Sequence, residues 1–332
     1  MSNATPEITN SSESKNQEIS APQNLQRNPS KGKGDEKADV YTLITDRIME
    51  LLEQGVIPWK RPWRTSSKSY WPMNLVSGKE YSGINAFLLA MTAFESPYFL
   101  TYKQARDMGG SIRKGAKGYP VIYCNRVTSN RKDEKTGEKE QKQYSFLRYY
   151  TVFNLEQTEG ITAPVLEAPA QVLAFNPIEE CERIANGYRG APDLIHHRQR
   201  ACYSPALDLI NMPKKETFDS EAEYYGVLFH EMTHSTGHKT RLAREGITEG
   251  HTFGDESYGK EELIAEMGAA FLCAQANIAP ATLNNSAAYI GSWLTKLRND
   301  KKLVIQAASA AQKAANLILG EATLKTEEPA EA

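Results

Sequence analysis

The chain has 332 residues with a formal net charge of −2, enough length for two domains with cores of their own. No apolar run reaches the length of a membrane span. The N-terminus lacks a charged-then-apolar secretory pattern, so no membrane partner and a cytoplasmic setting are expected. The near-neutral total hides a division: residues 39–160 carry 18 Lys and Arg against 13 Asp and Glu, and residues 161–332 carry 16 against 23. A basic front and an acidic rear point to different partners for the two halves.

Residues 1–38 are rich in Ser, Asn, Gln, Lys and Glu and hold almost no large apolar side chains. They cannot bury enough surface to offset ordering entropy and read as a disordered arm. Apolar residues at helical spacing then predict a helix from Val40 to Gln54, ended by Gly55. Next comes IPWKRPWRTSSKSYW, residues 57–71, in which Trp59, Trp63, Tyr70 and Trp71 alternate with Lys60, Arg61, Arg64 and Lys68. Interleaved rings and cations suit single-stranded nucleic acid, since rings stack on unpaired bases while cations neutralise phosphates. The residues alone leave Trp59 and Trp63 open between that role and plugging the core.

Tyr81-Ser-Gly-Ile-Asn85 leads into a helix expected over 86–93, and Thr101 is a natural N-cap for another carrying Lys103. GGSIRKGAKG, residues 109–118, is a glycine-rich turn presenting Arg113, Lys114 and Lys117, without the spacing of a nucleotide-binding P-loop. With Tyr81, Asn85 and Lys103 these complete the candidate DNA contacts. Strands are expected over 119–127 and 145–154, joined by a charged hairpin tip. The first domain would span 39–160 and a linker 161–176.

The second domain, 177–320, opens with a helix over 178–186 and a strand over 201–213 that would border a cleft and could pair with an extended substrate. YYGVLFHEMTHSTGH, residues 224–238, contains His230-Glu231-x-x-His234. On a helix, positions i and i+4 lie on one face, so both imidazoles can meet one metal ion and Glu231 can reach a water on it. Gly237 reads as the helix stop. A second helix, expected over 257–278, carries Glu262 and Glu266. In the gluzincin arrangement a glutamate on such a helix is the third ligand and an acidic residue four positions later orients a ligand histidine. Glu262 is therefore the preferred ligand and Glu266 the carboxylate behind a histidine, with the reverse order left open. A metzincin would need a third histidine where Thr240 stands. Zn²⁺ is the expected cofactor, with Glu231 as general base and Tyr258 or His251 as candidate oxyanion donors. A helix over 287–319, divided near 299–302, and a disordered tail, 321–332, end the chain. Cys124, Cys181, Cys202 and Cys273 have no metal-type spacing and read as reduced thiols.

The motifs PWKRPW, YSGIN, FLTYKQA, GGSIRKGAKG and VFNLEQTEG in front, and YSPALDLINMP, LFHEMTHSTGHKTRLAR and YGKEELIAEMGAAFLC behind, carry a resemblance. In this order the chain resembles the ArdC-type antirestriction proteins of conjugative plasmids, whose N-terminal region is related to that of TraC-type plasmid primases. The resemblance implies an α+β protein: a mixed α/β single-stranded DNA-binding domain, then a mainly helical zincin-like metallopeptidase domain with a small sheet. It also implies a role in carrying incoming plasmid DNA past host restriction, with single-stranded DNA and a protein of the restriction machinery as partners. Two other readings stand beside it: a DNA-binding protein whose zinc is purely structural, and an accessory, primase-related replication protein.

Overall fold

The computed structural model describes residues 39–60, 71–92, 94–132, 139–162, 177–249, 256–278 and 287–321. The expected N-terminal arm, most of the expected linker, residues 133–138 of the hairpin tip and the tail beyond 321 lie outside them. The architecture is α+β. Apolar spacing places Ile44, Ile48, Leu51 and Leu52 on the buried side of α1 (Val40–Glu53). A single 3₁₀ turn follows at Pro58–Lys60. Then come β1 (Met73–Asn74), α2 (Ile84–Ala90) and β2 (Tyr98–Thr101). The helix α3 (Tyr102–Asp107) starts at Thr101, whose hydroxyl accepts from Gln104 N while the Gln104 side chain returns to the Thr101 amide, a reciprocal cap.

After β3 (Ser111–Ile112) the chain runs out along β4 (Tyr119–Lys132) and back along β5 (Lys139–Asn154). Both strands are longer than expected, because the ladder from Tyr119↔Val152 to Lys132↔Lys139 continues through charged residues. Main-chain pairing needs no apolar side chains there. These strands form a four-stranded sheet in the order β1-β2-β5-β4. β6 (Thr158–Glu159) pairs with β3.

The rear half opens with α4 (Pro177–Gly187) and a three-stranded sheet of β7 (Asp193–Ile195), β8 (Cys202–Ser204) and β9 (Leu209–Asn211), ordered β7-β9-β8. The single strand expected over 201–213 is thus a hairpin. It turns through Pro205 to Asp208, where Asp208 takes φ +47°, a conformation aspartate tolerates better than most residues. The metal-motif helix α5 (Glu221–Ser235) is capped by Ser220, whose hydroxyl accepts from Glu223 N. The short α6 (Glu245–Thr248) precedes α7 (Glu256–Gln275), and α8 (Ala287–Asn299) and α9 (Leu303–Leu319) follow, divided where expected. α7 packs against both α5 and α9. Among the described residues no helix is long and apolar enough to cross a membrane.

The front and rear sequences share a core. Ile44, Trp59 and Phe87 belong to one buried cluster with Phe229, Phe271, Trp293 and Ala308, and Phe87 stacks on Phe271 at 4.6 Å. Polar contacts reinforce this: Thr45 Oγ1 donates to the Lys301 carbonyl at 2.6 Å, and Gly83 N to Gln312 Oε1 at 3.1 Å. α7 is therefore held from the front by the segment around Trp59 and from the rear by α5.

Candidate metal centre and nucleic-acid face

α5 buries Leu228 and Phe229 and brings His230 and His234 onto the side facing α7. The close approach of the two helices depends on Gly268, since a Cβ there would lie 2.4 Å from Thr233 Cγ2. Less than two turns before Gly268, Glu262 reaches the histidines. His230 Nε2 and His234 Nε2 stand 3.1 Å apart, and the Glu262 carboxylate is 3.6 Å from the first and 3.5 Å from the second. Two nitrogens and an oxygen on a tetrahedral zinc at 2.0–2.2 Å would be separated by about 3.3–3.5 Å. The three donors therefore fit a divalent cation at their centre with adjustments of a few tenths of an ångström.

The electrostatics agree. Burial acts to raise the Glu262 carboxyl, but the hydrogen bonds and charge of the two imidazoles outweigh it and hold it well below the ordinary carboxylate range. Burial likewise acts to lower His234, and Glu261 and Glu262 outweigh it and push the imidazole above its ordinary value. Carboxylates concentrated on buried imidazoles make a negative pocket suited to a cation. Glu231 is 8% exposed and its Oε2 accepts from the Tyr203 amide of β8 at 2.7 Å. Because β8 is the edge of its sheet, this carboxylate both lies beside the histidines in sequence and anchors the strand bordering them.

The second glutamate on α7 does not fill the place expected of it. Glu266 accepts from Trp59 Nε1 at 2.7 Å and from the Tyr289 hydroxyl, tying α7 to the 3₁₀ turn and to α8. Four residues along a helix is a rise of about 6 Å, which carries Glu266 past His234. The carboxylate beside His234 is Glu261, 3.4 Å from Nδ1 and itself gripped by Arg244 at 2.9 and 2.5 Å. Spacing points to neither Glu261 nor Arg244. α5 stops at Ser235, just before Gly237 as expected, but Gly237 has no left-handed φ and what it supplies is room. A Cβ would meet Ile247 Cγ1 at 2.6 Å and Arg244 Nη2 at 3.0 Å. Close by, Asp208 forms a bidentate pair with Arg241 and accepts from Tyr203 OH at 2.8 Å, locking the β8–β9 turn to the segment after α5. His238 bonds Thr240 Oγ1 at 2.8 Å, away from the three donors. His251 lies outside the described residues, as does the side chain of Tyr258.

In the front half the candidates separate. Trp59 is 1% exposed and edge-on to Trp293 at 6.2 Å, so it is a core residue and cannot stack on a base. Arg61, Trp63, Arg64 and Lys68 lie outside the described residues, and so does the side chain of Lys60. The Asn85 amide is used within the fold, donating to the Ile122 carbonyl and accepting from the Ile122 amide, both at 2.8 Å. Tyr81 is half-buried edge-on to Phe99 at 6.4 Å, and burial pushes its pKa up to about 12. Tyr81, Asn85 and Lys103 line one groove of 1680 Å³, together with Lys260 of α7 and Lys313 of α9. Lys103, Arg113, Lys114 and Lys117 are exposed. Tyr102 and Tyr149, 56% and 47% exposed, are large exposed rings that the interleaved motif does not include. The sequence signal for each is an adjacent cation, Lys103 after Tyr102 and Arg148 before Tyr149.

Comparison with known proteins follows the same division. Residues 38–153 match a family described as the N-terminal domain of anti-restriction factor ArdC, and residues 181–310 match a zincin-like metallopeptidase family. The antirestriction ArdC protein of plasmid R388, in its metal-free crystal structure, is 39% identical with a TM-score of 0.64 over 84% of this chain and 96% of that one. Its Mn(II)-bound structure is 37% identical with a TM-score of 0.65 over 86% and 99%. The uncharacterized protein y4eC of Sinorhizobium fredii is 32% identical over 84% of this chain and 91% of its own length. A DNA primase TraC of Escherichia coli is 34% identical over 85% of this chain, which spans only 27% of that primase. A second TraC primase is 33% identical and spanned to 20%.

Proposed function

The chain belongs to the ArdC family of antirestriction proteins, with a zincin-like rear half, and from that premise we propose that it binds single-stranded DNA and carries a zinc metallopeptidase centre. In this reading it protects incoming plasmid DNA from host restriction during conjugation. His230, His234 and Glu262 hold the zinc, and the convergence of their donor atoms within 4.8 Å of one another is the observation that carries the proposal. A zinc ion there supplies an acidified water and a Lewis acid for a carbonyl. Glu231 is the base that accepts the water's proton and returns it to a leaving amine. β8 supplies the edge along which an extended peptide segment would align. In front, Lys103, Arg113, Lys114 and Lys117 neutralise phosphates while Tyr102 and Tyr149 offer faces to unpaired bases. The single-stranded DNA-binding domain is taken as 39–160 and the metallopeptidase domain as 177–320.

A second reading has its own support. Because Glu231 satisfies the Tyr203 amide, it has a structural use that needs no reaction, and a zinc site of purely structural purpose would keep it. Glu231→Gln, whose amide oxygen can still accept from the Tyr203 N–H but cannot take a proton as a base, separates the two readings. The variant is expected to retain zinc and lose protection of unmodified plasmid DNA transferred into a restricting recipient. Undiminished protection with zinc retained would overturn the catalytic reading and leave DNA coating as the function.

A further inference from the structure

We infer that Arg244 and Glu261 are the positioning pair of the metal centre, fixing which nitrogen of His234 faces the cation. The inference rests on the reading of His230, His234 and Glu262 as metal ligands. Glu261 is 4% exposed, and a carboxylate that deep is retained only with partners. Arg244 supplies two of them, Nε to Oε2 at 2.9 Å and Nη2 to Oε1 at 2.5 Å, a bidentate fork. The third contact is His234 Nδ1, 3.4 Å from Oε1. An ionised carboxylate only accepts, so the shared proton sits on Nδ1. A cation bound between Glu262 and His230 would displace the proton from Nε2, the nitrogen left to ligate it once Nδ1 is committed to Glu261. An imidazole free to carry its proton on Nε2 would ligate nothing from that side.

The same guanidinium reaches the last turn of α5. Arg244 Nη1 donates to Thr236 Oγ1 at 2.6 Å, and Nη2 to the Thr233 carbonyl at 2.9 Å. One side chain thus joins the turn bearing His234 to the residue preceding Glu262, and both ligand-bearing helices are set by it. The small residue at Gly237 leaves the guanidinium its space.

The test uses the purified full-length protein, stripped of metal and titrated with Zn²⁺ against a chromogenic chelator, with thermal denaturation of the metal-free form in parallel. Glu261→Gln is expected to weaken zinc binding by about 10- to 100-fold. Glu261→Asp keeps the charge that Arg244 needs but withdraws it from Nδ1. It should lose zinc affinity to a similar degree while its metal-free melting temperature stays nearer the wild type. Arg244→Lys keeps a charge without the fork and should fall between. If both Glu261 variants bind zinc within about threefold of wild type, whatever their melting temperatures, the pair is structural only and the inference is overturned. A wild-type chain that takes up no zinc would overturn the ligand reading beneath it, and the inference with it.

Discussion

Replacing Trp59 by Phe asks whether this tryptophan belongs to the fold or to the DNA. The indole is 1% exposed, and its N–H meets a carboxylate at 2.7 Å. Phe keeps an aromatic ring but removes the donor. Losing a hydrogen bond to a charged acceptor costs about 1.5–3 kcal/mol, and the volume of the missing ring adds about 1–2 kcal/mol. Together they give a loss of about 2.5–5 kcal/mol. At roughly 2–4 °C per kcal/mol for a chain of this class, the melting temperature should drop by roughly 5–20 °C. The assays are thermal and urea denaturation, paired with single-stranded DNA binding measured well below the transition. Affinity per folded molecule should not change. A variant as stable as wild type to within about 1 kcal/mol, but binding DNA tenfold more weakly, would refute the burial argument.

The two glutamates of α7 should respond differently, Glu262→Gln losing zinc affinity and Glu266→Gln losing stability with zinc affinity kept; zinc titration and thermal melts of each distinguish them. Arg241 holds the Asp208 carboxyl below its ordinary value in the folded protein. Its stabilisation is therefore present above the unfolded pKa and lost as pH falls through the lower folded one. Asp208→Asn, which keeps a residue tolerant of the positive φ, should be less stable than wild type near neutrality, with the gap closing below about pH 4 in acid-denaturation curves. For the front face, changing Lys103, Arg113, Lys114 and Lys117 to Gln should shallow the salt dependence of single-stranded DNA binding by about 0.7 in log–log slope for each phosphate no longer neutralised. An unchanged slope would remove these residues from the interface.

What could be read from the sequence was local. The pairing of His230 with His234 follows from one helical turn, and the cap at Thr101 follows from residue chemistry within three positions. The division between α8 and α9 was marked by the polar run around Asp300. The β8–β9 turn at Pro205 was not legible, because the surrounding apolar residues favour a single strand. What spacing could not supply was how helices cross. Glu261 and Glu266 are both acidic and both near Glu262, and only the approach of α5 to α7 places the first beside His234 and the second beside Trp59. The role of Trp59 was undecidable for the same reason, since its partners Trp293 and Glu266 are more than 200 residues away. Asn85 looked like a ligand contact because nothing local showed that Ile122 of β4 would take both ends of its amide.

The central claim is that His230, His234 and Glu262 form one divalent metal site. Elemental analysis of the purified chain beside its His234→Ala variant tests it most directly. About one zinc per chain is expected in the wild type, removed by chelator and restored on re-addition, with no stoichiometric zinc in the variant. Equal zinc in both proteins would contradict the claim.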